Sequence, residues 1–146
     1  MSLTKKIIYA ILGLLIIIQF IRPSRNERGP SENDISKKYN VPSEVQIILK
    51  ESCYDCHSNN TRYPWYTNIQ PVGWWIQSHI NEGREHLNFS EFGTYAEKKA
   101  KHKFEEIEES METGWMPLES YLIIHSEAAL SPEQALAVKN WASALK

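Results

Sequence analysis

The apolar residues of this chain form one continuous run near the N-terminus and several periodic stretches further along. Residues 7–21 are almost all apolar, and Gln19 is the only strongly polar residue among them. As a helix this run measures about 22 Å, which is less than the ~30 Å hydrocarbon core of a bilayer. Counted from Leu3, with Lys5 and Lys6 reaching into the interface, it comes close to a full span. The pattern therefore predicts an N-terminal transmembrane anchor over residues 1–21.

A cleaved signal peptide is the alternative explanation of the same run. Cleavage would need a small-x-small site after the apolar segment, and residues 19–23 contain no such site. No cysteine lies close behind the run to serve lipoprotein processing. We therefore expect the segment to stay attached to the rest of the chain.

A polar stretch separates the apolar run from the remaining chain. Residues 22–40 contain few apolar side chains and are interrupted by Pro23, Gly29 and Pro30. This composition is typical of a semi-extended linker that does not pack. It predicts a linker over residues 22–40 and a single folded domain over residues 41–146.

Four stretches of the predicted domain repeat apolar residues every three or four positions, as amphipathic helices do. The predicted buried faces are Val45, Ile48 and Leu49; Val72, Trp75, Ile76, His79 and Ile80; Ala96, Ala100, Phe104, Ile107 and Met111; and Leu136, Trp141 and Leu145. Pro42, Pro71 and the Ser131-Pro132 pair suit helix starts, while Gly83 and Gly114 suit helix ends. The fold class predicted is all-α, with Trp141 packing the last helix against the helix that begins near Pro42.

The residues best suited to carry chemistry are Cys53-Tyr54-Asp55-Cys56-His57, and they contain the only two cysteines of the chain. C-x-x-C-H is the pattern by which c-type haem is attached. Cysteines one helical turn apart can form thioethers with the two vinyl groups of one porphyrin edge. The histidine that follows can bind the iron as proximal ligand. The motif therefore predicts one covalent haem c on Cys53 and Cys56, with His57 as an iron ligand.

Three other readings of the two cysteines are less favourable. A C-x-x-C redox pair normally accompanies a βαβ unit, and the chain shows none. Structural zinc needs four ligands, and the remaining histidines do not provide a pair at the usual spacing of three to five residues; they are His79, His86, His102 and His125. A plain disulfide would give His57 no role.

The sixth ligand of the iron is expected to come from a loop after the third helix. Gly114 ends that helix, and Pro117 keeps Met116 out of a helical conformation. A thioether on such a loop can approach the iron from the side opposite His57. His79 lies mid-helix on an apolar face and is expected to be a hydrogen-bonded core residue instead. The sequence therefore predicts His57 and Met116 as the metal ligands.

The order of these elements resembles class I cytochromes c, and the chain is more closely similar to the bacterial family described as haem-binding domain. The residues that carry the resemblance are Cys53-Tyr54-Asp55-Cys56-His57-Ser58-Asn59, Tyr63-Pro64-Trp65-Tyr66, Pro71-Val72-Gly73-Trp74-Trp75, Glu82-Gly83-Arg84-Glu85-His86-Leu87-Asn88-Phe89-Ser90 and Met116-Pro117-Leu118. They span roughly the whole predicted domain, although the long Trp/Tyr-rich middle section departs from a minimal cytochrome c. The resemblance implies a cytochrome c-like helical domain that holds haem c through Cys53, Cys56 and His57.

These observations favour a one-electron carrier that meets a redox partner protein. A haem enzyme of the peroxidase type is an alternative, with His79 or His86 as the acid–base group, and a redox or gas sensor is another. A net charge of −2 and a pI near 6.2 argue against a nucleic-acid partner. Basic residues lie on both sides of the apolar run, so charge alone does not orient it. Because c-type haem is attached outside the bacterial cytoplasmic membrane, we expect a single-pass protein with its haem domain in the periplasm.

Overall fold

The structure is a computed structural model that describes residues 1–146, and it is built from helices and turns with one isolated β-bridge between Glu27 and Asn60. The α-helices are α1 (Leu3–Ile18), α2 (Ile35–Lys38), α3 (Ser43–Ser52), α4 (Tyr54–His57), α5 (Val72–His86), α6 (Glu97–Thr113), α7 (Glu119–Leu122) and α8 (Pro132–Ser143). Short 3-10 helices cover Trp65–Asn68, Phe89–Thr94 and Ser126–Ala128. The prediction of an all-α fold is confirmed.

The predicted N-terminal helix is present as α1, and none of its residues is buried. Its 16 residues correspond to about 24 Å. No helix in the structure has both the length and the apolarity that are needed to cross a membrane.

The prediction that residues 22–40 form an unpacked linker is wrong for much of this segment. Asn26 is buried, and its side-chain amide donates to the Ser58 carbonyl at 2.8 Å and to the Thr61 hydroxyl at 2.9 Å. Ile35, at the start of α2, is completely buried in the hydrophobic core. The composition is misleading because this segment packs partly through hydrogen bonds of polar side chains, while Ile35 enters the core and the Tyr39 ring packs against it.

The core lies where α8 packs against α6 and α3. It consists of Ile35, Val45, Ile48, Leu49, Leu87, Phe89, Phe92, Ala100, Phe104, Ile107, Val138, Trp141 and Ala142. The Trp141 ring meets Phe104 of α6 edge to face at 5.6 Å, and its indole N–H donates to the Asn40 carbonyl at 3.1 Å. Trp141 thus packs α8 chiefly on α6, while the helix also contacts α3 as predicted.

Two of the predicted helix boundaries are confirmed by their capping geometry. Gly114 follows α6 with φ of +68°, the left-handed conformation that a glycine C-cap adopts. Ser131 caps α8 through a capping box with Gln134, and Pro132 occupies the first turn. Both caps are made by residues within a few positions of the helix end, which is why they could be recognised in the sequence.

The predicted buried face of α5 is confirmed only at Ile80, and its predicted end at Gly83 is wrong. The helix continues to His86, and its buried residues are Gly73, Gln77 and Ile80. Trp75, predicted to be buried, is half exposed. The reason is that one side of α5 packs on the protein, whereas Trp75, Ile76 and His79 border a cavity.

Candidate functional site

The two cysteines and His57 lie around a single helical turn. The amides of Cys56 and His57 both donate to the Cys53 carbonyl, at 3.2 and 2.9 Å, so that α4 begins directly after the end of α3. Both cysteines are free thiols. The predicted spacing of one turn between the sulfurs is therefore formed by the backbone before any group is bound.

Burial keeps both thiols protonated. Desolvation, with a smaller contribution from Cys56, raises the pKa of Cys53 to about 12. Desolvation together with the charge of Asp55 raises the pKa of Cys56 to about 11. Reactive redox cysteines have lowered pKa values in electropositive surroundings. This environment is the opposite, which argues against a C-x-x-C redox pair.

His57 is held in one tautomer by the backbone of α5 and the residue after it. Its Nδ1 lies 2.9 Å from the Gly83 carbonyl oxygen and 3.1 Å from the Leu87 carbonyl oxygen. Carbonyls only accept hydrogen bonds, so Nδ1 carries the proton and the lone pair of Nε2 is free. Burial lowers the pKa of His57, although the two carbonyls act in the other direction. A neutral imidazole with an oriented ring is the form that binds a metal.

All four residues predicted to hold the cofactor line one cavity. Cys53, Cys56, His57 and Met116 border a space of about 360 Å³ between α4, the end of α5 and the loop after α6. An apolar recess opens from it toward the core, and its apolar lining residues include Leu49, Leu87, Phe89, Ile107, Met111 and Val138. The residues present thus fit a haem, because two thiols, an imidazole nitrogen and a thioether surround one largely apolar cavity.

Two other histidines border the same cavity, but their hydrogen-bond partners differ from those of His57. The Nδ1 of His79 donates to the Trp75 carbonyl at 2.9 Å, which leaves its Nε2 as an acceptor. His86 is more exposed, and its Nε2 lies 3.3 Å from a carboxylate oxygen of Glu106. His79 is therefore a residue of the cavity wall and not the core residue that its position on an apolar stripe predicts.

A second, smaller cavity adjoins the first. It shares Cys56, His79 and Tyr121 with the larger one and extends between α5 and α7. Trp75, Ile76 and Ile124 complete its apolar wall. Trp75, Ile76, His79 and Ile80, which the sequence places in the core, thus line this space, whereas Val72 does not.

Asp55, between the two cysteines, is a site residue that the sequence analysis missed. Its carboxylate accepts hydrogen bonds from the Arg62 backbone amide at 3.0 Å, from the Arg62 guanidinium at 3.0 to 3.2 Å, and from the Tyr121 hydroxyl at 2.8 Å. Asp55 is buried, and its hydrogen bond raises the pKa of Arg62. It thereby joins α4 to the following loop and to α7. An acid between the two cysteines of the motif, followed by an arginine seven residues later, is the signal that could have revealed it.

Gly83 is a second missed residue, and its role comes from its missing side chain. A Cβ atom at this position would lie 2.8 Å from the Cys56 carbonyl oxygen and 3.2 Å from the Cys56 Cβ. Glycine therefore lets α5 approach α4 closely enough for the Gly83 carbonyl to reach His57. A glycine inside a helical pattern indicates such a contact as readily as a helix end.

No group of three or more His, Cys, Asp and Glu side chains in the structure is placed to hold a metal ion. A zinc site made only of side chains would need a cluster of that kind.

Comparison with known proteins gives one result. No curated protein and no solved structure matches the chain. The family model described as haem-binding domain matches residues 13–144, which is most of the chain. With both thiols and His57 bordering one cavity, and a family match over nearly its full length, the chain belongs to the haem-binding domain family.

Proposed function

We propose that this protein binds one haem c covalently through Cys53 and Cys56 and carries single electrons to or from a redox partner protein. The observation that carries the proposal is the arrangement of His57. Its Nδ1–H is bound by two backbone carbonyls, and the ring borders the same cavity as both thiols. Fixing the ring in this way before the metal binds is what a protein does to orient a proximal ligand.

Each residue of the site has a distinct part in holding the cofactor. The thiols of Cys53 and Cys56 would each add across one vinyl group of a haem, with the sulfur bonding to one carbon and the hydrogen to the other. His57 would supply its Nε2 lone pair to the iron. The bound haem supplies a one-electron Fe(III)/Fe(II) couple. Asp55 and Gly83 hold the motif in place through Arg62, Tyr121 and the contact with α5.

Met116 supports the choice of electron transfer over catalysis. It lies between the glycine that ends α6 and the start of α7, and it borders the cavity together with His57. As a sixth ligand its thioether would close the iron to small molecules and raise the reduction potential. Met116→Ala should open the site, lower the potential and let the ferrous protein bind carbon monoxide. Rapid carbon monoxide binding by the unmutated protein would refute the carrier assignment.

Covalent attachment is tested with the full-length chain produced alongside haem-attachment machinery. The protein should keep its haem absorption after denaturation and acid–organic extraction, because thioether bonds survive both. The Cys53→Ala/Cys56→Ala variant should lose the colour in the same procedure, whereas Met116→Ala should keep it. Haem that is extracted from the unmutated protein would show non-covalent binding.

We further propose that α1 attaches the protein to the cytoplasmic membrane, with the haem domain on the periplasmic side. The support is that α1 is apolar and exposed along its length, and that haem c is attached on that side of the membrane. Separation of cell fractions, followed by an intact mass of the membrane-bound chain, tests both the location and the retention of α1. A mature chain that begins near Ser24 would show that the segment is cleaved.

One observation favours an enzyme of the peroxidase type as the second candidate. His79 borders the cavity with its Nε2 free to accept a proton, which is the property of an acid–base group beside an open iron. Peroxide turnover that is abolished by His79→Gln would support this function. The same variant should leave electron transfer unchanged if Met116 occupies the sixth position.

A further inference from the structure

Three hydrogen bonds join the end of α1 to the folded domain. The Gln19 side chain donates to the Gln70 carbonyl at 3.0 Å and accepts from the Gln70 amide at 2.9 Å. The indole N–H of Trp74 donates to the Ile21 carbonyl at 2.7 Å, just beyond the helix end. Three hydrogen bonds therefore fix the direction in which α1 leaves the domain.

The exposed apolar surface continues from α1 onto the domain at this junction. Phe20 is 84% exposed and Trp65 is 74% exposed, and the other exposed members are Ile21, Ile69 and Val72. These five residues are called the collar here. They lie beside the junction, as their neighbours show. Gln70 and Trp74 make the hydrogen bonds of the junction. Asn68 accepts from Arg25 and donates to the Trp65 carbonyl.

We propose that the collar is immersed in the surface of a lipid bilayer together with α1, a proposal that rests on membrane attachment by that helix. The length of α1 argues for this occupant. The helix is about 24 Å long, and the apolar core of a bilayer is ~30 Å thick. The collar extends the apolar surface beyond Ile18 and supplies the missing length.

The chemistry of the collar and its neighbours fits the membrane interface. Tryptophan is enriched where hydrocarbon meets headgroups, and the collar contains Trp65 with its ring exposed. Arg22 and Arg25 flank the collar, with side chains that contact Gln19 and Asn68. The charge of Arg22 suits anionic headgroups, whereas Arg25 is also paired with Glu27 at 3.4 Å. Because hydrogen bonds join α1 to the domain at this junction, immersion of the collar would also set the height of the haem cavity above the bilayer.

The first test measures how fast the haem-loaded full-length protein moves from loaded vesicles to empty vesicles of a different density, with phosphatidylcholine and phosphatidylglycerol as the lipids. Trp65→Ser/Ile69→Ser should speed the transfer at least about tenfold, equivalent to about 1.4 kcal/mol of lost membrane affinity. Ile47→Ser/Leu136→Ser is the matched control, because these residues are comparably exposed on α3 and α8. It should transfer at the unmutated rate.

The second test locates the collar with the conservative variant Trp65→Phe, which is expected to fold normally. Lipids brominated near the headgroup should quench part of the tryptophan emission of the unmutated protein. Trp65→Phe should lose much of that quenching, whereas Trp115→Phe, beside the haem cavity, should keep it. Equal quenching in all three proteins would overturn the proposal.

Two further outcomes also overturn the proposal and separate it from haem binding. Unchanged transfer of Trp65→Ser/Ile69→Ser, together with loss of a dimer in size-exclusion chromatography, would assign the collar to contact between two copies of the chain. Failure of the unmutated protein to stay with vesicles would refute both the immersion of the collar and the attachment of the protein to the membrane by α1. In each case the haem absorption, recorded on the same samples, reports independently whether the proposed cofactor binding holds.

Discussion

Substitution of Gly83 by alanine is expected to have two opposite effects on the stability of the domain. Gly83 lies inside α5, where alanine is normally favoured over glycine by about 1 kcal/mol. The added Cβ would, however, lie 2.8 Å from the Cys56 carbonyl oxygen. That neighbour is backbone and belongs to the single turn of α4, so it cannot rotate away as a flexible side chain could.

The expected net effect follows from the size of the two terms. Overpacking of a tightly packed site costs about 1–3 kcal/mol, and a contact this short to backbone belongs at the upper end of that range. After subtraction of the propensity gain, Gly83→Ala should lower the free energy of unfolding by about 1–2 kcal/mol. Displacement of α4 should also lengthen the distance from His57 Nδ1 to the Gly83 carbonyl, now 2.9 Å.

Urea denaturation of the haem-free full-length chain measures the stability, and haem content per chain measures the attachment. Both should fall in Gly83→Ala. Gly13→Ala is the matched control, because Gly13 is also helical but a Cβ there meets nothing within 4 Å. Stability of Gly83→Ala equal to or above that of the unmutated chain would show that α4 and α5 do not depend on this close approach.

Two other substitutions test polar contacts of the domain by urea denaturation. Asp55→Ala removes the acceptor of Arg62 and Tyr121 and should lower the free energy of unfolding by about 2 kcal/mol. The loss should be no larger because the Arg62 guanidinium is largely exposed and can bind water instead. Unchanged stability would contradict the role of Asp55 in joining α4 to α7. Glu106→Gln keeps an oxygen that can accept from Lys103 but removes the negative charge 2.6 Å from the buried ammonium, and it should cost about 2 kcal/mol at pH 7. Burial raises the pKa of Glu106, but the hydrogen bond and charge of Lys103, together with His86 and His102, lower it, and the net pKa lies below its ordinary 4.5. The ion pair therefore contributes stability above that pH, and the difference between the two proteins should shrink as the pH falls below it. A constant difference down to pH 3 would mean that the ion pair is not its source.

The features that the sequence predicted well depend on a few consecutive residues. The glycine cap at Gly114, the capping box at Ser131 and the single turn between Cys53 and His57 are all determined by local backbone preferences. The apolar spacing of α3 and α6 also places Val45 and Phe104 correctly in the core. In each case the interacting residues are close to one another in the sequence, so the sequence alone identifies both partners.

The features that were missed depend on what lies across the fold. Gly83 has the signal of a helix end, but its function is set by Cys56, a residue distant in sequence. Trp75 and His79 have the pattern of a core face, because a cavity lined by apolar residues and a protein core select the same side chains. Asn26 has the composition of a linker, and only its partners Ser58 and Thr61 show that it is packed. Periodicity reports which side is apolar and leaves open what covers it.

The hydrogen bond from His57 to the last turn of α5 makes the imidazole a capping group as well as a proposed ligand. The carbonyl end of a helix carries partial negative charge, and the Nδ1–H of His57 points at two carbonyls in this region. Partial negative charge there makes the imidazole a stronger electron donor, which favours Fe(III), whereas a Met116 thioether favours Fe(II). The redox potential of the bound haem would thus be a balance between the two sides of the iron, and any movement of the end of α5 would shift it.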